Sequence, residues 1–86
     1  MSEPAKVQVF GTAWCGDCHR SKAVLRRLGV PYLWVDVDED PQGRAVVMKV
    51  AGKMKVPVLI FPDGSTQVEP SDADLSSKVE ALGLKS

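Results

Sequence analysis

The sequence predicts an α/β fold in which one four-stranded mixed sheet is flanked by helices, in the order β-α-β-α-β-β-α. Short β-branched runs alternate with segments of helical periodicity, which favours strands linked by helices. An Asp-Gly pair between the last two strand-like runs indicates a tight hairpin. Strands joined by a helix lie parallel and hairpin strands lie antiparallel, so the sheet must be mixed. With 86 residues, the chain fits a single domain spanning 1–86.

The first β-α-β unit opens the chain. Val7–Phe10 is interpreted as a short, buried strand that ends at Gly11. Apolar residues recur at helical spacing over Gly16–Leu28, and Gly29 suits the end of that helix. Tyr32–Val37 is rich in aromatic and β-branched residues, which predicts a second strand parallel to the first.

The second helix follows an acidic stretch. Asp40 and Pro41 are typical of a helix N-terminus, and the helix should run over Gln42–Ala51. We expect Met48 and Met54 to fill the core, because methionine adapts to irregular gaps.

A hairpin and a last helix complete the fold. Val58–Phe61 and Thr66–Glu69 are predicted strands, joined by the turn at Asp63-Gly64. Ser71, with an acidic residue three positions later, resembles a capping box that opens a helix ending near Leu82.

Composition excludes several function classes. Lys plus Arg and Asp plus Glu both number 11, so no bulk charge attracts nucleic acid or an anionic membrane. No apolar run is long enough to span a bilayer, and the N-terminal residues lack the pattern of a secretory signal. We therefore expect a cytoplasmic protein whose thiols are kept reduced.

The two cysteines of the chain, Cys15 and Cys18, stand three positions apart where a helix should begin. That spacing puts Cα atoms roughly 5 Å apart in a helix, within the range of roughly 4.4–6.8 Å that a disulfide accepts. The helix N-terminus favours a thiolate at Cys15, the reactive form of the thiol. Cys15 should therefore attack a disulfide, and the more shielded Cys18 should resolve the product. Asp17 between them opposes the thiolate, whereas nearby cationic residues favour it.

Other uses of the two cysteines are weaker interpretations. A zinc site needs four ligands, and within the chain only His19 could join the two thiols. A lasting structural disulfide is disfavoured in a reducing compartment. Two simply buried cysteines remain possible, because free Cys packs as a small hydrophobe. A CxxC pair that follows a strand and opens a helix strongly indicates a redox-active dithiol.

From these motifs, the chain resembles the thioredoxin superfamily and, within it, the glutaredoxins. The resemblance rests on Trp14-Cys15-Gly16-Asp17-Cys18 after the first strand and on Val56-Pro57 before the third. The hairpin over 61–65 and Pro70-Ser71 are similar to the mycoredoxins, relatives that serve small thiols other than glutathione. The resemblance implies a thioredoxin fold, with Cys15 as nucleophile and Cys18 as resolving thiol. It also implies a cis peptide bond at Pro57, and pairing of the Val56 backbone with the cysteinyl part of a bound thiol or peptide.

The resemblance also suggests the rest of the binding site. Ser71 and Asp72, at the start of the last helix, are placed to bind the carboxylate or amine of a small thiol, although Ser71 alone could simply cap that helix. Trp14 is expected to shield the cysteines and to offer a flat contact surface. Asp17 belongs to the same site as a residue of the CxxC motif.

The chain departs from the usual glutaredoxin pattern in two places. Gly16-Asp17 stands where Pro-Tyr is typical, and Val68–Ser71 replaces a Gly-Gly pair. Both changes fall in the small-thiol site, so glutathione, mycothiol and bacillithiol all remain candidate partners.

Three hypotheses for function follow. In the first, the protein reduces mixed disulfides between proteins and a low-molecular-weight thiol, as a monomer without metal or prosthetic cofactor. In the second, it is a thioredoxin-like electron carrier reduced directly by thioredoxin reductase. In the third, it carries a metal or an iron–sulfur cluster between two chains.

Overall fold

A computed structural model describes residues 6–85 and shows one four-stranded sheet with three helices. The elements in chain order are β1 (Val7–Gly11), α1 (Gly16–Arg27), β2 (Tyr32–Asp36), α2 (Pro41–Ala51), β3 (Val58–Ile60), β4 (Thr66–Val68) and α3 (Asp72–Ala81). The strand order is β2-β1-β3-β4. β1 pairs parallel with β2, and β3 pairs antiparallel with both β1 and β4. The predicted α/β thioredoxin fold is confirmed.

The sheet separates two apolar clusters, because successive residues of a strand point to opposite faces. Val7 and Val9 of β1 are buried in the larger cluster with residues of α1 and α3. Phe10 of the same strand is buried in the smaller cluster with Val47 of α2. Helices α1 and α3 therefore cover one face of the sheet and α2 covers the other.

Each helix begins at a side chain that caps it. The Asp40 carboxylate accepts the amides of Gln42 and Gly43 at the start of α2. Ser71 Oγ accepts the amide of Asp74 at the start of α3. The residue that caps α1 is Cys15, whose sulfur accepts the amide of Cys18.

Predicted and observed bounds agree to within one residue, and the third and fourth strands end at Ile60 and Val68, one residue earlier than predicted. The second strand ends at Asp36 rather than Val37, because the Asp36 carbonyl accepts the amides of Glu39 and Asp40 at 3.1 and 3.0 Å and so begins a turn. The prediction that Met48 and Met54 fill the core is wrong, since each is 46% exposed. Val47 takes the buried position on α2 instead. Among residues 6–85, no helix combines the length and the apolar character needed to cross a bilayer.

Candidate active site

Cys15 lies where the loop after β1 meets the N-terminus of α1. Its backbone is extended, with φ −90° and ψ 116°, which lets its sulfur turn back toward the first turn of the helix. The amide of Cys18 donates to Cys15 Sγ at 3.2 Å. Cys15 is partly exposed. Cys15 therefore presents a solvent-accessible sulfur at the N-terminus of α1.

Cys18 has the opposite environment. It is fully buried, one turn into α1, against the end of β1. Burial, followed by the hydrogen bond with Cys15, raises the pKa of Cys18 from 9.0 to about 12, and the positive charge of Lys22 opposes this only weakly. Both cysteines are free thiols in this structure, close together but not bonded. The pair is therefore asymmetric, with an accessible sulfur and a protonated, shielded one.

The wall facing Cys15 is the segment that leads into β3. Cys15 Sγ lies 3.9 Å from the carbonyl oxygen of Val56, to which the thiol donates. The Val56–Pro57 peptide bond is cis, as the resemblance implied. The Pro57 carbonyl accepts the amide of Glu69 at 2.9 Å, which ties this wall to the segment before α3.

Trp14 precedes Cys15 in the loop and lies on the surface. The residue is 76% exposed, and its Nε1 donates to the Asp38 carboxylate at 2.9 Å. On the other side of the loop, His19 Nε2 lies 2.6 Å from the Ala13 carbonyl; since a carbonyl only accepts, this nitrogen carries the hydrogen. The two contacts fix the loop from both sides and present the Trp14 ring as a flat apolar surface.

The charged residues near the site are joined by Arg20. Its guanidinium contacts Asp17 at 2.8 Å and Asp72 at 3.0 Å, which brings the CxxC motif and the start of α3 together. Ser71 is occupied as the cap of α3. Asp38 and Glu69 were not anticipated as part of this region, and Arg20 was anticipated only as one of the cationic residues that favour the Cys15 thiolate. Only the spacing of Asp17 and Arg20, three residues apart on a helix, carried a local signal of an ion pair.

The raised pKa of Cys18 gives a prediction about stability at alkaline pH. The folded state keeps this thiol protonated up to about pH 12, whereas the unfolded chain loses the proton near pH 9.0. The stabilisation is therefore present below pH 9 and is lost as pH rises toward 12, at up to about 1.4 kcal/mol per pH unit. Urea unfolding of the reduced protein from pH 8 to 11 should show this decline.

The matched comparison is Cys18→Ala, which keeps every other titrating group. Its unfolding free energy should be lower at pH 8, because a buried side chain is truncated, but should fall less steeply with pH. Parallel pH curves for the two proteins would contradict the assignment of a shielded, protonated Cys18.

Comparison with known proteins identifies the family. The family model described as Glutaredoxin matches residues 7–65, which include both cysteines and the cis proline. The chain belongs to the glutaredoxin family. It is 34% identical over 80 residues to a glutaredoxin of Pseudomonas aeruginosa, covering 88% of this chain and 93% of that one. It is 32% identical over 80 residues to mycoredoxin 1 of Corynebacterium glutamicum, covering 91% of this chain and 98% of that one.

A solved structure agrees with this assignment. The crystal structure of a glutaredoxin from Archaeoglobus fulgidus superposes with a TM-score of 0.71 at 26% identity, covering 85% of this chain and 84% of that one. As a glutaredoxin, the protein is a thiol-disulfide oxidoreductase. Among residues 6–85, no group of three or more His, Cys, Asp or Glu side chains is arranged to hold a metal ion.

Proposed function

We propose that this glutaredoxin reduces mixed disulfides between proteins and a low-molecular-weight thiol, using Cys15 as nucleophile and Cys18 as resolving thiol. The small thiol is the co-substrate, and the cysteine pair is the redox centre, so no prosthetic group is required. The observation that carries the proposal is the asymmetry of the pair: Cys15 caps the helix and is partly exposed, whereas Cys18 is fully buried.

In the first step, the Cys15 thiolate attacks the small-thiol sulfur of the mixed disulfide. A bond forms between Cys15 Sγ and that sulfur, the original disulfide bond breaks, and the protein substrate leaves as a thiolate that takes a proton from solvent. The Val56 carbonyl oxygen lies 3.9 Å from Cys15 Sγ, and this proximity supports the proposal that the segment pairs with the cysteinyl part of the bound molecule.

The adduct on Cys15 can then be resolved in two ways. Cys18 can attack Cys15 Sγ, which forms the Cys15–Cys18 disulfide and releases the small thiol. Alternatively, a second small thiol attacks the adduct, releases the oxidised dimer of the small thiol and regenerates Cys15 directly. Because the pKa of Cys18 is about 12, its attack requires that the departing thiolate or solvent accept its proton. The second route therefore competes with the first near neutral pH.

The deciding experiment supplies the electrons from different sources. The oxidised protein is offered glutathione, mycothiol or bacillithiol, each with its own recycling system, and separately thioredoxin reductase with NADPH. We expect one of the small thiols to recycle the protein fastest during reduction of a mixed-disulfide substrate. Efficient recycling by thioredoxin reductase, with indifference to all three thiols, would instead establish a thioredoxin-like electron carrier.

A further inference from the structure

Arg20 lies between two carboxylates that belong to different helices. Its Nη1 is 2.8 Å from Oδ1 of Asp17, in the first turn of α1. Its Nε is 3.0 Å from Oδ1 of Asp72, the first residue of α3. A guanidinium presents five N–H donors in a fixed plane, so one side chain can bind both carboxylates at once.

Arg20, Asp17 and Asp72 form a charged cluster that joins the CxxC motif to the start of α3. Asp17 follows Cys15 by two residues, and the segment that leads to Asp72 is held against the facing wall by the hydrogen bond from Glu69 to Pro57. The three charged side chains remain 50%, 49% and 48% exposed, in the order Arg20, Asp17 and Asp72. All three side chains are therefore accessible to a small molecule from solvent.

The inference rests on the function proposed above and concerns which small thiol the site accepts. We propose that Arg20 is a positioning residue that sets selectivity for the co-substrate. By binding Asp17 and Asp72, it withholds both carboxylates from an ammonium group on the small thiol. The cluster carries a net charge of −1 with Arg20 in place and −2 without it, so loss of Arg20 both frees the carboxylates and strengthens the attraction for a cation.

Three probes that differ mainly in charge test the proposal. Mixed disulfides of one peptide thiol are prepared with cysteamine, 2-mercaptoethanol and 3-mercaptopropionate, which carry an ammonium, a hydroxyl and a carboxylate. In Arg20→Gln, the ratio of kcat/KM for the cysteamine probe to that for the mercaptoethanol probe should rise about three- to tenfold over the wild-type ratio, as expected for one or two exposed ion pairs. The rise for the cysteamine probe should come from a lower KM. The ratio of kcat/KM for the mercaptopropionate probe to that for the mercaptoethanol probe should fall.

Three further variants separate charge from structure. Arg27→Gln removes an exposed charge from the last turn of the same helix and should leave both ratios unchanged. Arg20→Lys retains the positive charge and should restore most of the wild-type ratio. Adding Asp72→Asn to Arg20→Gln should remove much of the gain, because one freed carboxylate is lost.

Salt dependence provides a further test, one arm of which uses only the wild-type protein. At 1 M salt the screening length falls to about 3 Å. The raised cysteamine-to-mercaptoethanol ratio of kcat/KM in Arg20→Gln should therefore fall toward the wild-type value. The wild-type ratio should change less than twofold between low and high salt, because its carboxylates are already paired. A strongly salt-dependent preference for the ammonium probe in the wild type would overturn the proposal, even if Arg20→Gln failed to fold.

Failure of the selectivity proposal can be distinguished from failure of the proposed function. If Arg20→Gln leaves the cysteamine ratio within twofold of wild type, or if Arg27→Gln raises it equally, Arg20 does not set selectivity. If the wild-type protein fails to reduce even the mercaptoethanol probe, the proposed mixed-disulfide activity itself is wrong.

Discussion

Replacing Cys15 with serine should lower the reduction of mixed disulfides by about a thousandfold or more, the scale on which enzymes lose activity when the nucleophile is removed. A serine hydroxyl can still accept the Cys18 amide that now donates to Cys15 Sγ, so the start of α1 should be preserved. The hydroxyl is not ionised near neutral pH and cannot form the disulfide adduct. Steady-state turnover with a mixed-disulfide substrate and an unfolding curve measured together separate loss of chemistry from loss of fold.

Cys18→Ser is the matched partner in that experiment. It keeps the nucleophile and removes only the resolving thiol, so part of the activity should survive through attack by a second small thiol. The Cys15 adduct should accumulate when the small thiol is scarce, and intact-protein mass spectrometry should show one small thiol per chain. Full activity without Cys15 would refute the assignment of the nucleophile, and loss of all activity in Cys18→Ser would exclude the one-thiol route.

Much of the fold could be predicted because its signals are local. Glycine and proline mark the ends of elements, and Asp40 and Ser71 cap the helices that they were expected to cap. The strand ends were less certain: the β-branched run extends to Val37, but the Asp36 carbonyl accepts the amides of Glu39 and Asp40 and so begins the turn one residue earlier. The choice between Val47 and Met48 as the buried residue depends on how α2 is rotated on the sheet, and the spacing of apolar residues was too broad to fix that rotation.

Part of the candidate site could likewise be predicted from the sequence, and part could not. The positions of Cys15 and Cys18 follow from the CxxC spacing at a helix start, and the cis bond before Pro57 came from the family resemblance, because its base rate is too low to assert from sequence. Arg20 was anticipated only as one of the cationic residues near Cys15. Its contact with Asp72, across 52 positions, depends on how α1 and α3 pack, which no local pattern reports.

A second large effect is expected at Gly11, the last residue of β1. A Cβ built there would lie 2.9 Å from a ring carbon of Trp34 and would overlap Cys18 Sγ. Both neighbours belong to packed regions, so relief requires that the ring or the first turn of α1 move. Gly11→Ala should therefore destabilise the protein by about 1–3 kcal/mol from overpacking. The opposing gain from a less flexible unfolded chain, about 0.4–1 kcal/mol, is too small to cancel this cost.

Gly16→Ala provides the stability control for the same substitution. Gly16 begins α1, and a Cβ there would meet no atom within 4 Å, so urea unfolding should show no loss of stability. The position of the buried thiol gives a second readout. If Gly11→Ala displaces Cys18 Sγ, an alkylating reagent should label Cys18 in the folded protein, whereas wild type and Gly16→Ala should be labelled there only in denaturant. Unchanged stability and unchanged labelling in Gly11→Ala would show that Cys18 Sγ does not lie against Gly11.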